Sequence, residues 1–110
     1  MDKIAALKEI LALDPTSAFA RYGLAMAYAA EGDATLALAE FDQLLEEHPD
    51  YTAGYFMAAQ TLVKAGRPEE AETRLREGIA SAQRTANHHA LSEMQQLLDE
   101  LEASGTESQL

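Results

Sequence analysis

Residues 18–51 read AFARYGLAMAYAAEGDATLALAEFDQLLEEHPDY, and this stretch decides the fold because it returns. Moved on by 34 residues, Ala25 becomes Ala59, Tyr28 becomes Leu62 and Gly32 becomes Gly66. Ala37 becomes Ala71, Phe41 becomes Leu75 and Leu45 becomes Ile79. Moved back, Leu7 stands for Phe41, Leu11 for Leu45 and Pro15 for Pro49. A fixed period of this length marks stacked helix pairs, in which no unit buries its apolar face alone.

Within the stretch, Ala18 to Ala30 predicts a helix that is apolar almost all round, with Arg21 its only charge. Such a helix must be covered on more than one side. Gly32 can take the left-handed turn conformation cheaply, and Asp33 is a good N-cap for the next helix. That second helix is predicted over Ala34 to Glu47. Its inward candidates are Ala37, Leu38, Phe41, Leu44 and Leu45, and Glu40, Asp42, Glu46 and Glu47 form its solvated face. His48-Pro49-Asp50 ends it, because the residue before a proline is pushed out of the helical region.

Outward from there, Asp2 to Leu13 predicts an amphipathic helix, closed by Asp14-Pro15, with Thr16 and Ser17 able to cap the next one. Thr52 to Lys64 repeats the all-round apolar character, with Gly54 a weak point costing about 1 kcal/mol by propensity. After Ala65-Gly66-Arg67, Pro68 suits a first helical position, and Glu69 and Glu70 suit the positive end of the helix dipole. That helix should run to about Ala82, with Ala71, Leu75, Gly78 and Ile79 inward. There the period fails, since position 83 should be proline and is Gln83. A linker, 84–87, leads to a last helix, 88–102, whose stripe of Leu91, Met94, Leu98 and Leu101 is ringed by polar residues. One apolar and one polar face is what the end of a stack needs. This cap favours a complete protein. Residues 103–110 are small and polar and read as a disordered tail.

These positions resemble the tetratricopeptide repeat family. The first full unit, 18–51, carries the resemblance at Leu24, Ala25, Tyr28, Gly32, Ala37, Phe41, Leu45 and Pro49. The second, 52–85, carries it at Tyr55, Ala58, Ala59, Leu62, Gly66, Ala71, Leu75 and Ile79. Residues 2–13 look like the second half of a truncated repeat, and the last helix looks like a cap. The resemblance implies an all-α, right-handed solenoid of antiparallel helix pairs, six helices in a single domain over residues 1–102. The first helix of each unit would line its concave side. Three departures stand out. Arg21 sits where the family has a bulky aromatic, with Phe19 or Tyr22 expected to compensate. Gly78 replaces the usual alanine. The last helix keeps register only if its linker adds two residues.

Carrying the family's concave positions over gives a groove of Phe19, Tyr22, Met26, Phe56, Gln60, Val63 and Lys64, with Met57 nearby. Aromatic rings beside methionines on an open face suit an apolar or amphipathic segment of another protein. The same face could be filled by a second copy, giving a homodimeric scaffold, or be covered by the chain itself. A subset of the family grips the C-terminal tails of heat-shock chaperones with lysine, arginine and asparagine. The matching places here are Tyr22, Met26 and Met57, with His89 and Glu93 or Asn87 and Leu91 in the last helix. None is Lys or Arg, so that clamp is not expected.

Composition narrows the function further. The 110 residues are 47 % apolar, contain no Cys, and carry a net charge of −11. A field of that sign repels phosphate backbones and anionic membrane surfaces, so neither nucleic acid nor a membrane is expected as partner. The charge is uneven. Residues 1–30 hold three bases and three acids, whereas 31–50 hold seven acids and no Lys or Arg. Without Cys there are no disulfides, thiolate metal sites or Cys nucleophiles, which fits a reducing compartment. Residues 1–9 interleave charge with apolar side chains, unlike a secretory leader, so the expected location is cytoplasmic. His88-His89 cannot aim both rings at one metal from adjacent helical positions. Gly32 and Gly66 are helix terminators rather than a phosphate loop, and Ser17, Ser81 and Ser92 lack a nucleophile signature. No enzyme, cofactor or metal is expected.

Overall fold

The computed structural model describes residues 2–108, and six helices account for most of them. They are α1 (Lys3–Leu13), α2 (Ala18–Ala30), α3 (Ala34–Glu47), α4 (Thr52–Lys64), α5 (Pro68–Arg84) and α6 (His88–Ser108). Among the described residues there is no strand. Each helix packs on the next, and α2 also touches α4 as α4 touches α6. The other row, α1, α3 and α5, shows no close backbone approach along itself, although the Arg74 side chain of α5 reaches across to Asp42 of α3 at 2.7 Å. A stack that is tight along one row and splayed along the other curves toward the tight row. The concave face therefore belongs to α2, α4 and α6.

The starts of the helices obey side-chain chemistry. Asp2, Ser17, Asp33 and Asn87 each accept a hydrogen bond from the amide three residues on, at 2.9, 3.2, 3.0 and 3.1 Å. Each satisfies an amide that the helix itself leaves free. Neither α4 nor α5 has a side-chain cap, and in α5 Pro68 at the first position leaves one fewer amide to satisfy.

Three of the hairpin turns share one geometry. Gly32 and Gly66 are left-handed, at φ 81° and 75°. The next amide in each case reaches back five residues, Asp33 to Tyr28 at 3.0 Å and Arg67 to Leu62 at 2.9 Å. The α5–α6 turn has the same geometry without glycine. Ala86 takes φ 54° and the Asn87 amide reaches Ala82 at 2.8 Å. Gln83 in place of proline lets α5 run on to Arg84, two residues past its expected end, and the chain then closes with the tight turn. The expected linker 84–87 shrinks accordingly to 85–87.

The end of the chain differs from expectation. Residues 103–108, read as the start of a disordered tail, continue α6 to Ser108. Ala103 favours helix continuation, no proline intervenes, and Gly105 does not take the left-handed conformation that would end the helix. Residues 109–110 lie outside the described residues.

The core has two parts. One gathers Leu7, Leu24, Ala25, Tyr28, Phe41 and Leu44 around α2, and the other gathers Leu38, Leu45, Tyr55, Leu62, Leu75, Met94 and Leu98 around α4 and α5. Gly54, weak by propensity, is buried where α4 meets α3. A Cβ there would lie 3.0 Å from Leu45 Cδ2 and 3.1 Å from Leu44 Cδ2. The missing side chain is what allows the close approach.

Candidate partner-binding groove

The inner row presents an open cleft of about 470 Å³ between α2 and α4. Met26 and Met57 form its apolar walls, and Gln60, Thr61 and Lys64 give it a polar side. Ala29, Ala30, Gly32, Ala34 and Ala65 complete the lining, and their small size is why the space stays open. The Thr61 hydroxyl donates to the Met57 carbonyl at 2.8 Å, so it can offer a ligand only an acceptor, while Gln60 and Lys64 supply the donors. A second cleft of about 260 Å³ lies on the outer surface among charged side chains of α3 and α5 and is not part of the groove.

Further along the inner row, Phe56 and Gln60 of α4 face Glu93, Gln96, Leu97 and Glu100 of α6 across a smaller cleft of about 250 Å³. Gln60 borders both clefts, which joins them into one groove. Its character changes along its length, from methionines and one lysine to an aromatic ring with two carboxylates.

The eight residues expected from sequence thus divide. Met26, Met57, Gln60 and Lys64 share the first cleft, and Phe56 shares the second with Gln60. Tyr22 lies outside both. It is half-buried, with its ring 5.1 Å from that of Tyr51 and 6.4 Å edge-on to Phe41. Burial, and then the neighbouring Tyr51 phenol, push its pKa above the usual value. Val63 is half-buried against the second core cluster. Phe19 stands out at 73 % exposure and lines neither cleft.

The expectation that Phe19 or Tyr22 makes good the missing aromatic at position 21 does not hold, because Arg21 fills that place itself. It is 8 % exposed. Its Nη1 donates to Glu40 Oε2 at 2.8 Å and its Nη2 to the Pro15 carbonyl at 2.9 Å. Its Nε lies 3.6 Å from Glu47 Oε1, in electrostatic reach but beyond a hydrogen bond. Glu40, expected in the solvated face, is half-buried and held inward by this charge, while Glu47 stays exposed as expected.

Sequence reasoning missed Thr61, Ala34 and Ala65 in the first cleft and the whole α6 contribution to the second. The spacing of Glu93, Leu97 and Glu100 along the flank of the Met94–Leu98 stripe was the available signal. Glu93 also accepts an ion-pair contact from the exposed His89 at 3.2 Å when that ring is protonated. Among the described residues no group of three or more His, Cys, Asp or Glu could hold a metal, and no helix is long and apolar enough to cross a membrane.

A curved stack of helix pairs with a groove along its inner row defines the class, a helical-repeat solenoid. A family model described as tetratricopeptide repeat matches residues 28–97, more than half of the sequence. A TPR repeat-containing protein of Pseudomonas aeruginosa is 29 % identical over 103 residues, covering 94 % of this chain and 98 % of its own length. The crystal structure of a tetratricopeptide repeat domain protein from Salinibacter ruber is 30 % identical with a TM-score of 0.74, over 79 % of this chain and 97 % of that one. The TPR2B domain of yeast Sti1, in its pHsp70 complex, shares the fold at a TM-score of 0.85 and 19 % identity, over 92 % of this chain and 81 % of that one. The chain belongs to the tetratricopeptide repeat family. The fold is in general that of a protein–protein interaction module.

Proposed function

We propose that the chain is a non-enzymatic interaction module that holds an apolar or amphipathic segment of another protein in the groove of α2, α4 and α6. The observation that carries this reading is the Met26–Met57 cleft, open, apolar on its walls and polar at Gln60, Thr61 and Lys64. Methionine side chains adapt to varied apolar shapes, which suits a segment inserted by its side chains. Lys64 at one end and Glu93 and Glu100 at the other give the groove a direction. A helix with an acidic group near Lys64 and bases toward α6 fits that direction. The Sti1 domain is seen with pHsp70, but the present chain has Tyr22, Met26 and Met57 at the places where the family's chaperone-tail clamp has lysine or asparagine. The proposed ligand is therefore held by apolar contact and not by its terminal carboxylate.

The test is capture of partners from the native cell by wild type, by Met26→Glu with Met57→Glu, and by Lys64→Glu. Lys64 is exposed, so its variant keeps the fold while reversing the charge at the cleft. Loss of the same partner in both variants, with helical circular dichroism retained, is the expected result. Undiminished capture by both contradicts the reading. Met26 and Met57 also pack against the core, as do Tyr22 and Phe56, so the exposed Lys64 variant is the one that separates groove from fold.

A further inference from the structure

The α4–α6 cleft differs in chemistry from the methionine cleft beside it. Phe56 of α4 and Leu97 of α6 are half-buried, and their uncovered parts give it an apolar floor. Glu93 and Glu100 line its α6 side with Leu97 between them, at the four- and seven-residue spacings that share one helix face. Both carboxylates are exposed. The arginine ion pairs of the described residues all lie elsewhere. Arg21, Arg67, Arg74 and Arg84 hold acids of α3, of α5 and of the turn at Asp50. Glu93 is near the exposed His89, and Glu100 accepts from the Gln96 amide at 3.4 Å; neither meets a lysine or arginine among the described residues. Residues 85–110 hold five acids and no Lys or Arg, so α6 brings no counter-charge of its own.

We infer that this cleft anchors one lysine or arginine side chain of the partner segment, and that the segment is a basic amphipathic helix. The inference rests on the groove reading above and specifies its ligand. An apolar floor below a carboxylate rim matches the two parts of such a side chain. The aliphatic stem is covered by Leu97 and the Phe56 ring, and the cation meets Glu93 and Glu100. At about 250 Å³ the cleft is smaller than the usual small-molecule site and suits an inserted side chain. Lys64 lines the first cleft and not the second, so it turns a basic residue toward α6. The two clefts flank α4, which places them about one helix spacing apart, about 10 Å. In a helix rising about 1.5 Å per residue this is about seven residues, a spacing that returns to the same face. The partner helix therefore carries an apolar residue for the Met26–Met57 cleft and a lysine or arginine two turns away.

Selection from a displayed library of Ala-rich helical peptides, roughly 18 residues long with one randomised face, tests this. Three proteins are used: wild type, Glu93→Gln with Glu100→Gln, and a charge control, Glu9→Gln with Glu46→Gln. All four acids are exposed, so each variant folds as wild type does. Wild type and the control should both enrich an apolar residue and, about seven residues from it, Lys or Arg. The Glu93/Glu100 variant should keep the apolar residue and lose the basic one. By fluorescence anisotropy, the best wild-type peptide should bind that variant about ten-fold more weakly and the control equally well. Apolar enrichment without a basic position in the wild-type pool overturns the inference and leaves the groove reading standing. So does a basic position that survives in the Glu93/Glu100 variant, or one that the control loses as well. A wild-type pool with no enriched sequence removes the groove reading and this inference together.

Discussion

The two full repeats meet the same structural demand by different chemistry. Position 21 of the first unit and position 55 of the second are 34 residues apart, and both send a donor to the carbonyl of the proline six residues earlier. Arg21 Nη2 reaches Pro15 at 2.9 Å, and the Tyr55 hydroxyl reaches Pro49 at 2.7 Å. Around Arg21 the packing helix supplies two carboxylates, Glu40 and Glu47. Around Tyr55 it supplies Gly78, and nearby Ser81 pairs with Thr52 at 2.9 Å, with Met94 of α6 closing the far side. A cation needs counter-charge and a ring needs room. The first unit therefore depends on an ion network and the second on shape, although one period generates both.

The comparison breaks most severely at Arg21. Arg21→Ala leaves two carboxylates facing each other beside a hole. It should cost about 3 kcal/mol, near the lower bound for removing one partner of a buried pair because the acids are part-exposed. Chemical denaturation at neutral pH reads this directly, and raised salt should recover part of the loss. An unchanged midpoint would mean that the network contributes nothing.

Gly78→Ala attacks the other solution. Its Cβ would fall 2.4 Å from Met94 Sδ and 2.5 Å from Tyr55 Cβ, too close for any real contact. Helix propensity favours alanine, so a loss of about 1–3 kcal/mol would show that packing wins over propensity. A gain in thermal midpoint would show the reverse.

A smaller effect is expected at the third hairpin, where Ala86 holds the left-handed conformation that Gly32 and Gly66 adopt freely. Ala86→Gly should stabilise by about 0.5 kcal/mol, the relief of strain less the extra freedom gained by the unfolded chain. The corresponding change Gly66→Ala should destabilise by a similar amount or more. Equal stabilities for both pairs would contradict a geometry shared by the three turns.

The smallest effect concerns pH. Burial and Tyr51 raise the Tyr22 pKa, and burial followed by Glu77 raises that of Tyr55. Each folded phenol then keeps its proton when the unfolded one has lost it. The stability this contributes is complete below the ordinary tyrosine value near pH 10 and is lost as pH rises through the folded value. Tyr22→Phe should make the alkaline decline shallower, as followed by circular dichroism between neutral pH and the alkaline limit. An identical decline in the variant would assign it elsewhere.

The helices were legible in the sequence because caps, prolines and the 34-residue period act locally. Asp33, Gly32 and Pro68 all do what their chemistry dictates. The turn at Ala86 was not legible, since alanine gives no sign of a left-handed conformation that tertiary packing imposes. Nor was the direction of Glu40, which the buried Arg21 sets from another helix. The groove was half legible. Period placed Met26, Gln60 and Lys64 on one face, but whether a ring on that face lines space or fills it depends on its neighbours. Tyr51 and Phe41 draw Tyr22 into the core, while nothing covers Phe19. The α6 wall was hidden because its register is set by the shortened turn and not by the period.

The central claim is that the Met26–Met57 cleft receives the partner. The four methionines provide the test, since Met94 is fully buried and serves as an internal control. With their methyl groups labelled, the protein is titrated with the partner segment recovered by capture and followed by NMR. The account predicts that the Met26 and Met57 methyl signals move together and saturate while Met94 stays in place. Binding that leaves Met26 and Met57 unmoved would contradict it.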